Sequence, residues 1–224
     1  MRFLRLIHLG LIATYVYANS NGDSTHNDAV SPTMEFINGR RVEPLTVRGT
    51  IEPGGVEMTF KGTIQEIDKQ IRNLNLNFSW QQFWPSKPDV SKLLNSKRTI
   101  SKFRCHVQGL KPAKRDAIET NRDSLKNATV LLIANPGKCT TISCLANARV
   151  TFCNDSMLLA QKNSTTLAPH LDLILNSLDC ATPGDNNLLQ GQVFDTEKFN
   201  IIVSEATQSF YGENKSHFPT PELP

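Results

Sequence analysis

The 224-residue sequence carries no Gly-x-Ser-x-Gly nucleophile elbow, no His-Glu-x-x-His zinc motif and no phosphate-binding loop. Motif-borne serine hydrolysis, zinc proteolysis and nucleotide chemistry therefore have no support. Structural zinc lacks its spacing: four residues separate Cys139 from Cys144, and no Cys/His pair of matching spacing follows. Neither sign of charge is in large excess, with 24 Lys and Arg against 21 Asp and Glu, so no global field recruits nucleic acid or an anionic membrane. Beyond residue 18 no run approaches the roughly 18 apolar residues of a membrane-spanning helix. Repeated βαβ units are not evident either, which turns the expectation away from a parallel sheet.

What is present begins with an export signal. Arg2 and Arg5 precede an apolar run from Leu6 to Tyr17, and Val16-Tyr17-Ala18 ends it with residues that suit a signal peptidase. Residues 1–18 are expected to be a signal peptide and 19–33 a disordered polar leader. Loss of Arg2 and Arg5 takes the formal charge from +3 to +1. A secreted chain is free to form disulfides.

The N-terminal region, 34–98, reads as strand, Asn38-Gly39 turn and strand, then a second turn at Pro53-Gly54-Gly55 and a period-two strand over Val56–Phe60. The period then changes. Ile64, Ile67, Ile71 and Leu74 share one helical face, with Thr63 and Glu66 placed to form a capping box. Phe78, Trp80, Phe83 and Trp84 follow within seven residues. They are either a sticky patch for a partner or a glycan, or, as favoured here, a plug closing the helix against the sheet. From Lys92 to Arg115 eight Lys or Arg occur without an acid. Asp116, Glu119 and Asp123 then dilute the field, so a solvated face is favoured over an anion-binding one. Lys97-Arg98 within that run is a candidate processing site. Cutting there would release the later part, which holds all five cysteines, from a pro-region.

The later region, 99–205, reads as a cysteine-bearing domain. A helix is expected over Pro112–Lys126 with Pro112 in its first turn, and Val130–Ile133 suits a strand or a helix extension equally. Cys139, Cys144 and Cys153 lie in a hairpin rich in β-branched residues. Leu167, Leu171, Ile174 and Leu178 mark a helix ending at Cys180, and strands follow over Gly191–Asp195 and Phe199–Val203. Residues 206–224 read as a frayed tail. Together this is an α+β protein, an antiparallel sheet with helices packed on one face. Five cysteines form at most two bridges. Any one can be the orphan, and the other four pair in three ways, so spacing alone selects nothing.

His106 follows Cys105 directly, and adjacent strand residues point to opposite faces, so the two are not a nucleophile and its base. His170 is a candidate general base of a secreted ribonuclease, although a solvent-facing helix position is the favoured reading. Glycosylation sequons begin at Asn77, Asn127, Asn154, Asn163 and Asn214. Asn154, next to Cys153, is expected to be shielded, which leaves Asn77, Asn127, Asn163 and Asn214.

Phe36–Met58 with Gly62–Ile67, followed in order by Pro136–Cys139, Ser143-Cys144, Cys153-Asn154-Asp155, Gly191–Asp195 and Asn200–Val203, resembles a group of small secreted proteins of filamentous fungi. The later half also resembles the smut-fungus killer-toxin fold. The resemblance implies bridges Cys105–Cys180 and Cys139–Cys153, with Cys144 as the free thiol and a cysteine of the group missing near Thr166. The hairpin after Cys144 also reads Leu-Ala-Asn-Ala where the group favours Ser-Tyr-Asn-Ser. It further implies an extracellular effector- or toxin-like protein that acts on a host or competitor protein without catalysis, as a monomer and with no cofactor or metal. Nucleic acid and membrane are not expected as partners. A secreted ribonuclease-type hydrolase and a cell-wall or developmental protein are the alternatives.

Overall fold

The computed structural model describes residues 35–85 and 100–206. The expected signal peptide, the whole leader, Lys97-Arg98, Asn214 and nearly all of the tail lie outside the described residues. Two hairpin turns set the architecture. Asn38-Gly39 has φ of 52° and 75°, and Ala146-Asn147 has 49° and 64°. Two successive positive φ values give a turn whose twist matches that of its flanking strands. The first turn joins β1 (Phe36–Ile37) to β2 (Arg40–Pro44). After these come β3 (Thr46–Thr50), β4 (Met58–Lys61), α1 (Ile64–Leu74), β5 (Trp84–Pro85), β6 (Ile100–Cys105) and β7 (Ala113–Lys114). Next are α2 (Arg115–Asn127), β8 (Leu131–Ala134), β9 (Cys139–Leu145), β10 (Ala148–Asn154), β11 (Ala160–Asn163) and α3 (Ala168–Asn176). The last four strands are β12 (Ala181–Thr182), β13 (Asp185–Leu189), β14 (Gly191–Asp195) and β15 (Phe199–Glu205).

The chain is a mixed α and β protein with a curled, multi-stranded sheet and few helices. The main sheet has seven strands in the order β1-β2-β9-β10-β15-β14-β6. Its pairs are antiparallel with one exception: β2 runs parallel to β9, with Val42 opposite Cys139. This parallel join departs from the wholly antiparallel sheet expected. It arises because the first hairpin adds to the sheet through β2, whose direction is set by its turn rather than by a short link to β9. Smaller sheets order as β4-β3-β5, β12-β13-β7 and β11-β8.

Strand alternation divides the apolar residues. Phe199, Ile201 and Val203 of β15 enter the large core with Phe60, Ile67, Ile118, Phe152 and Leu171. Ile202 joins a second cluster with Ile37, Val42, Cys139 and Cys153. The boundary read at residue 98 falls within the segment outside the described residues. On either side of it, Leu45, Val47 and Phe60 share the large core with Ile142, Phe152 and Val203.

Thr63 caps α1. Its Oγ accepts from the Glu66 N–H, and the Glu66 carboxylate accepts from the Thr63 N–H at 2.7 Å. Thr63→Ala is expected to lower stability by about 1 kcal/mol, read as a shift of the urea midpoint at unchanged m. Ile64, Ile67 and Ile71 are buried. Leu74, expected on that face, is 50% exposed because the helix ends there.

The second helix begins at Arg115, three residues later than Pro112. The preceding residues Ala113 and Lys114 are taken into a strand paired with Leu189 and Leu188. The third helix ends at Asn176 rather than Cys180. Ser177 is extended, the Arg115 Nη1 takes the Leu175 carbonyl at 2.6 Å, and a separate 3₁₀ turn, Leu178–Cys180, leads to the disulfide. Leu178 is consequently exposed.

Asn121 fixes α2 to the sheet. It is fully buried, its Nδ2 donates to the Ala117 carbonyl at 2.7 Å and lies 3.3 Å from the carbonyls of Leu145 and Ala148, and its Oδ1 accepts from Ser143 Oγ. Ser143 reaches this side through a register shift in β9, which pairs Ser143 with Val150 but Thr141 with Thr151.

Candidate functional site

Disulfides join Cys105 to Cys180 and Cys139 to Cys153, and Cys144 is a free cysteine. The first bridge ties β6 to the turn after α3. The second links directly opposed residues of β9 and β10. Burial pushes the Cys144 thiol above its ordinary pKa, partly offset by the Arg149 guanidinium. Alkylation of the folded protein is therefore expected to be slower than in denaturant, with its rise shifted to higher pH, as stopped-time iodoacetamide labelling would read. The linkage has a definite sign. A thiol that keeps its proton longer when folded contributes fully below the unfolded value of about 8.5 and loses that contribution as pH rises through the folded value. Stability relative to Cys144→Ser should fall only in that alkaline window.

His170 contradicts its solvent-facing expectation. It is 1% exposed, and its Nε2 lies 3.2 Å from Asp195 Oδ2, also buried. Asp195 Oδ1 accepts from the Glu197 N–H at 2.9 Å, and the Phe199 ring centroid lies 5.4 Å from that of His170. Lys162 sits over the other side of this cluster, 5.1 Å from the Phe199 centroid and ion-paired with Glu197. Burial lowers the Lys162 pKa against the opposing pull of Asp195. A general base must reach the proton it removes. The geometry makes His170 a side chain that organises the α3–β14 contact, closed to a macromolecular substrate.

His106 is exposed at a positive φ of 51°, beyond the end of β6. Phe78 and Phe83 are buried, and Phe78, Trp80 and Phe83 meet edge to face at centroid separations of 5.2–6.2 Å. They are part of the core that also holds α1. Of the basic run, Lys102, Arg104, Lys111 and Lys114 are exposed, while Arg115 is spent on the Leu175 and Asn186 carbonyls.

Asn77 and Asn127 are exposed and Asn163 is half-buried. Asn154 is fully buried, and its Nδ2 donates to the carbonyls of Ala134 (3.0 Å) and Leu158 (2.7 Å). A glycan would displace both bonds. Glycopeptide mapping of the protein expressed through a eukaryotic secretory host is expected to find Asn154 unmodified.

Two surface features were missed in the sequence. The first is the loop between β10 and β11, where Met157, Leu158 and Leu159 are 90%, 77% and 48% exposed. The loop is held in shape: Asn154 Oδ1 accepts from the Ser156 N–H at 2.9 Å, and Ser156 Oγ donates to the Leu158 carbonyl at 2.7 Å. Ser156 Oγ also accepts from the Leu158 N–H at 3.1 Å. An apolar triplet directly after an Asn-Asp-Ser turn was the available signal.

The second is a cleft of about 500 Å³ against β6, β14, β15 and the first hairpin. Its floor is a relay of fixed polar side chains. Gln192 Nε2 donates to Asn200 Oδ1 at 2.9 Å, and Asn200 Nδ2 donates to both Asp155 carboxylate oxygens at 2.9 Å. Asp155 is also ion-paired with Arg40. Among the described residues no group of three His, Cys, Asp or Glu could hold a metal ion, and no helix is long and apolar enough to cross a membrane. No protein-family model matches this chain, and no curated protein is significantly similar to it.

Proposed function

We propose that this chain is a secreted effector- or toxin-like protein that acts by contact with a protein of a host or competitor rather than by catalysis. The observation that carries the reading is the locked Met157-Leu158-Leu159 loop. Three adjacent apolar side chains held out into solvent cost hydration free energy that a solitary globule has no reason to spend. Their hydrogen-bonded backbone removes much of the ordering cost of binding, which is how a small apolar anchor gains affinity. The burial of His170 supports contact over hydrolysis.

In the same proposal the helices cover one face of the sheet, and α2 and α3 are the two that the killer-toxin resemblance of the later half implies. Contacts of α1 and α2 with β9, of α2 with β10, and of α3 with β14 and β15 support it. Two disulfides support an extracellular setting.

The test uses a photo-crosslinking residue at position 159 in the purified secreted chain, added to extracts or surfaces of candidate target cells. Discrete adducts should be competed by unlabelled wild-type protein and not by Met157→Asp/Leu158→Asp. That variant alters only exposed side chains, so its thermal midpoint should match wild type. Equal competition by both proteins, or cleavage of total RNA by the wild-type chain, would overturn the proposal.

A further inference from the structure

The cleft beside β6 is separate from the apolar loop and calls for a different kind of ligand. Its volume, about 500 Å³, falls within the roughly 300–1,000 Å³ of small-molecule sites. Gln192 and Asn200 are 5% and 1% exposed, yet they lie on an open cleft rather than inside the core. The Gln192-Asn200-Asp155-Arg40 relay fixes each planar group in one orientation, because every amide proton that points along it is already assigned. Gln192 Oε1 takes no donor among the described residues. Gln192 itself lines the cleft.

The wall adds two further properties. Phe194 and Ile37 provide an apolar surface. Arg104 is exposed, stands with its guanidinium carbon 5.7 Å from the Phe194 centroid, and has no carboxylate partner among the described residues. A guanidinium so placed can grip a carboxylate through two parallel N–H bonds. The cleft thus joins oriented amide and carboxylate groups, which suit hydroxyls, an apolar wall, which suits the C–H face of a ring, and one unspent cation. We infer that the cleft binds a short oligosaccharide bearing carboxylates, with Arg104 on a carboxylate and with Gln192 and the Asp155 relay on ring hydroxyls. A phosphate ligand fits less well, since no helix residue is among the described residues that line the cleft.

The experiment is calorimetric titration of the full secreted chain with tetragalacturonate. Cellotetraose serves as the neutral sugar of similar size, and inorganic sulfate as a generic anion. Saturable 1:1 binding of the uronate is expected, at least tenfold weaker in Arg104→Ala and only partly restored in Arg104→Lys, which keeps the charge but loses the planar fork. Arg104 is exposed, so the variants should keep the wild-type thermal midpoint. Absence of saturable uronate binding would overturn the inference, as would unchanged affinity in Arg104→Ala. Equal binding of cellotetraose would remove the role given to the carboxylate, and equal competition by sulfate would reduce the site to a surface charge.

Discussion

The Cys105→Ser/Cys180→Ser variant is expected to unfold in guanidinium with a loss of about 4 kcal/mol, and Cys139→Ser/Cys153→Ser with a loss of about 3 kcal/mol. The order follows from loop length: the bridges span sequence separations of 75 and 14, and the longer loop restricts the unfolded chain more. Native structure sharpens the difference. On its described side β6 is an edge strand paired only with β14, and Ile100 to Arg104 are all exposed. The bridge from Cys105 to Cys180 is its covalent hold on the core. Without it, amide exchange along the paired part of β6, Lys102 to Cys105, should accelerate before the rest of the sheet opens. The Cys139–Cys153 bridge instead closes one end of a ladder already held by six paired positions. A larger loss from removing the short-loop bridge would show that hairpin strain or packing dominates over chain entropy.

His170→Ala is expected to cost about 2–5 kcal/mol, the range of large-to-small changes in a packed core, because it empties a buried space and removes the partner of Asp195 Oδ2. The His170→Ala/Asp195→Ala double variant should cost clearly less than the sum of the single losses, since the second change removes the group the first left stranded. Thermal melts of the four proteins complete the cycle. Additive losses would show that the two side chains do not act as a unit. The same expectation governs any activity assay. Reduced activity in His170→Ala reports unfolding unless the variant is assayed well below its own midpoint.

Turn chemistry and period were legible where they are local. Asn38-Gly39 signalled a hairpin, and Thr63 with Glu66 signalled the start of α1, because both motifs satisfy their own backbone within four residues. Partners far apart in the chain were not legible. The Asn38-Gly39 turn implies a strand over Arg40–Pro44 but says nothing of β9 as its parallel neighbour. The register shift that turns Ser143 toward Asn121 has no sequence marker either. His170 is a reading error of another kind. It lies three residues after Leu167 and four before Ile174, both buried, so the helical period already placed it inward. Its polarity argued the other way, and Asp195, the partner that makes burial tolerable, lies 25 residues on. The cleft could not be read at all, since its floor draws single residues from β2, β14, β15 and the loop after β10.

The parallel join of β2 to β9 has a consequence for biosynthesis. During synthesis β2 emerges about a hundred residues ahead of the strand it must pair with, and translation delivers roughly 5–20 residues per second. For several seconds the Phe36–Pro44 hairpin has only local partners, while Ile37 and Val42 have no surface to cover. Docking waits until β9 and β10 have closed on each other, which makes the N-terminal hairpin a late, long-range step. Chaperones that hold extended apolar segments are then expected to engage this stretch first. Shortening the wait, by moving the hairpin to the C-terminal side in a circular permutant, should raise the yield of folded protein with little change in the stability of the product.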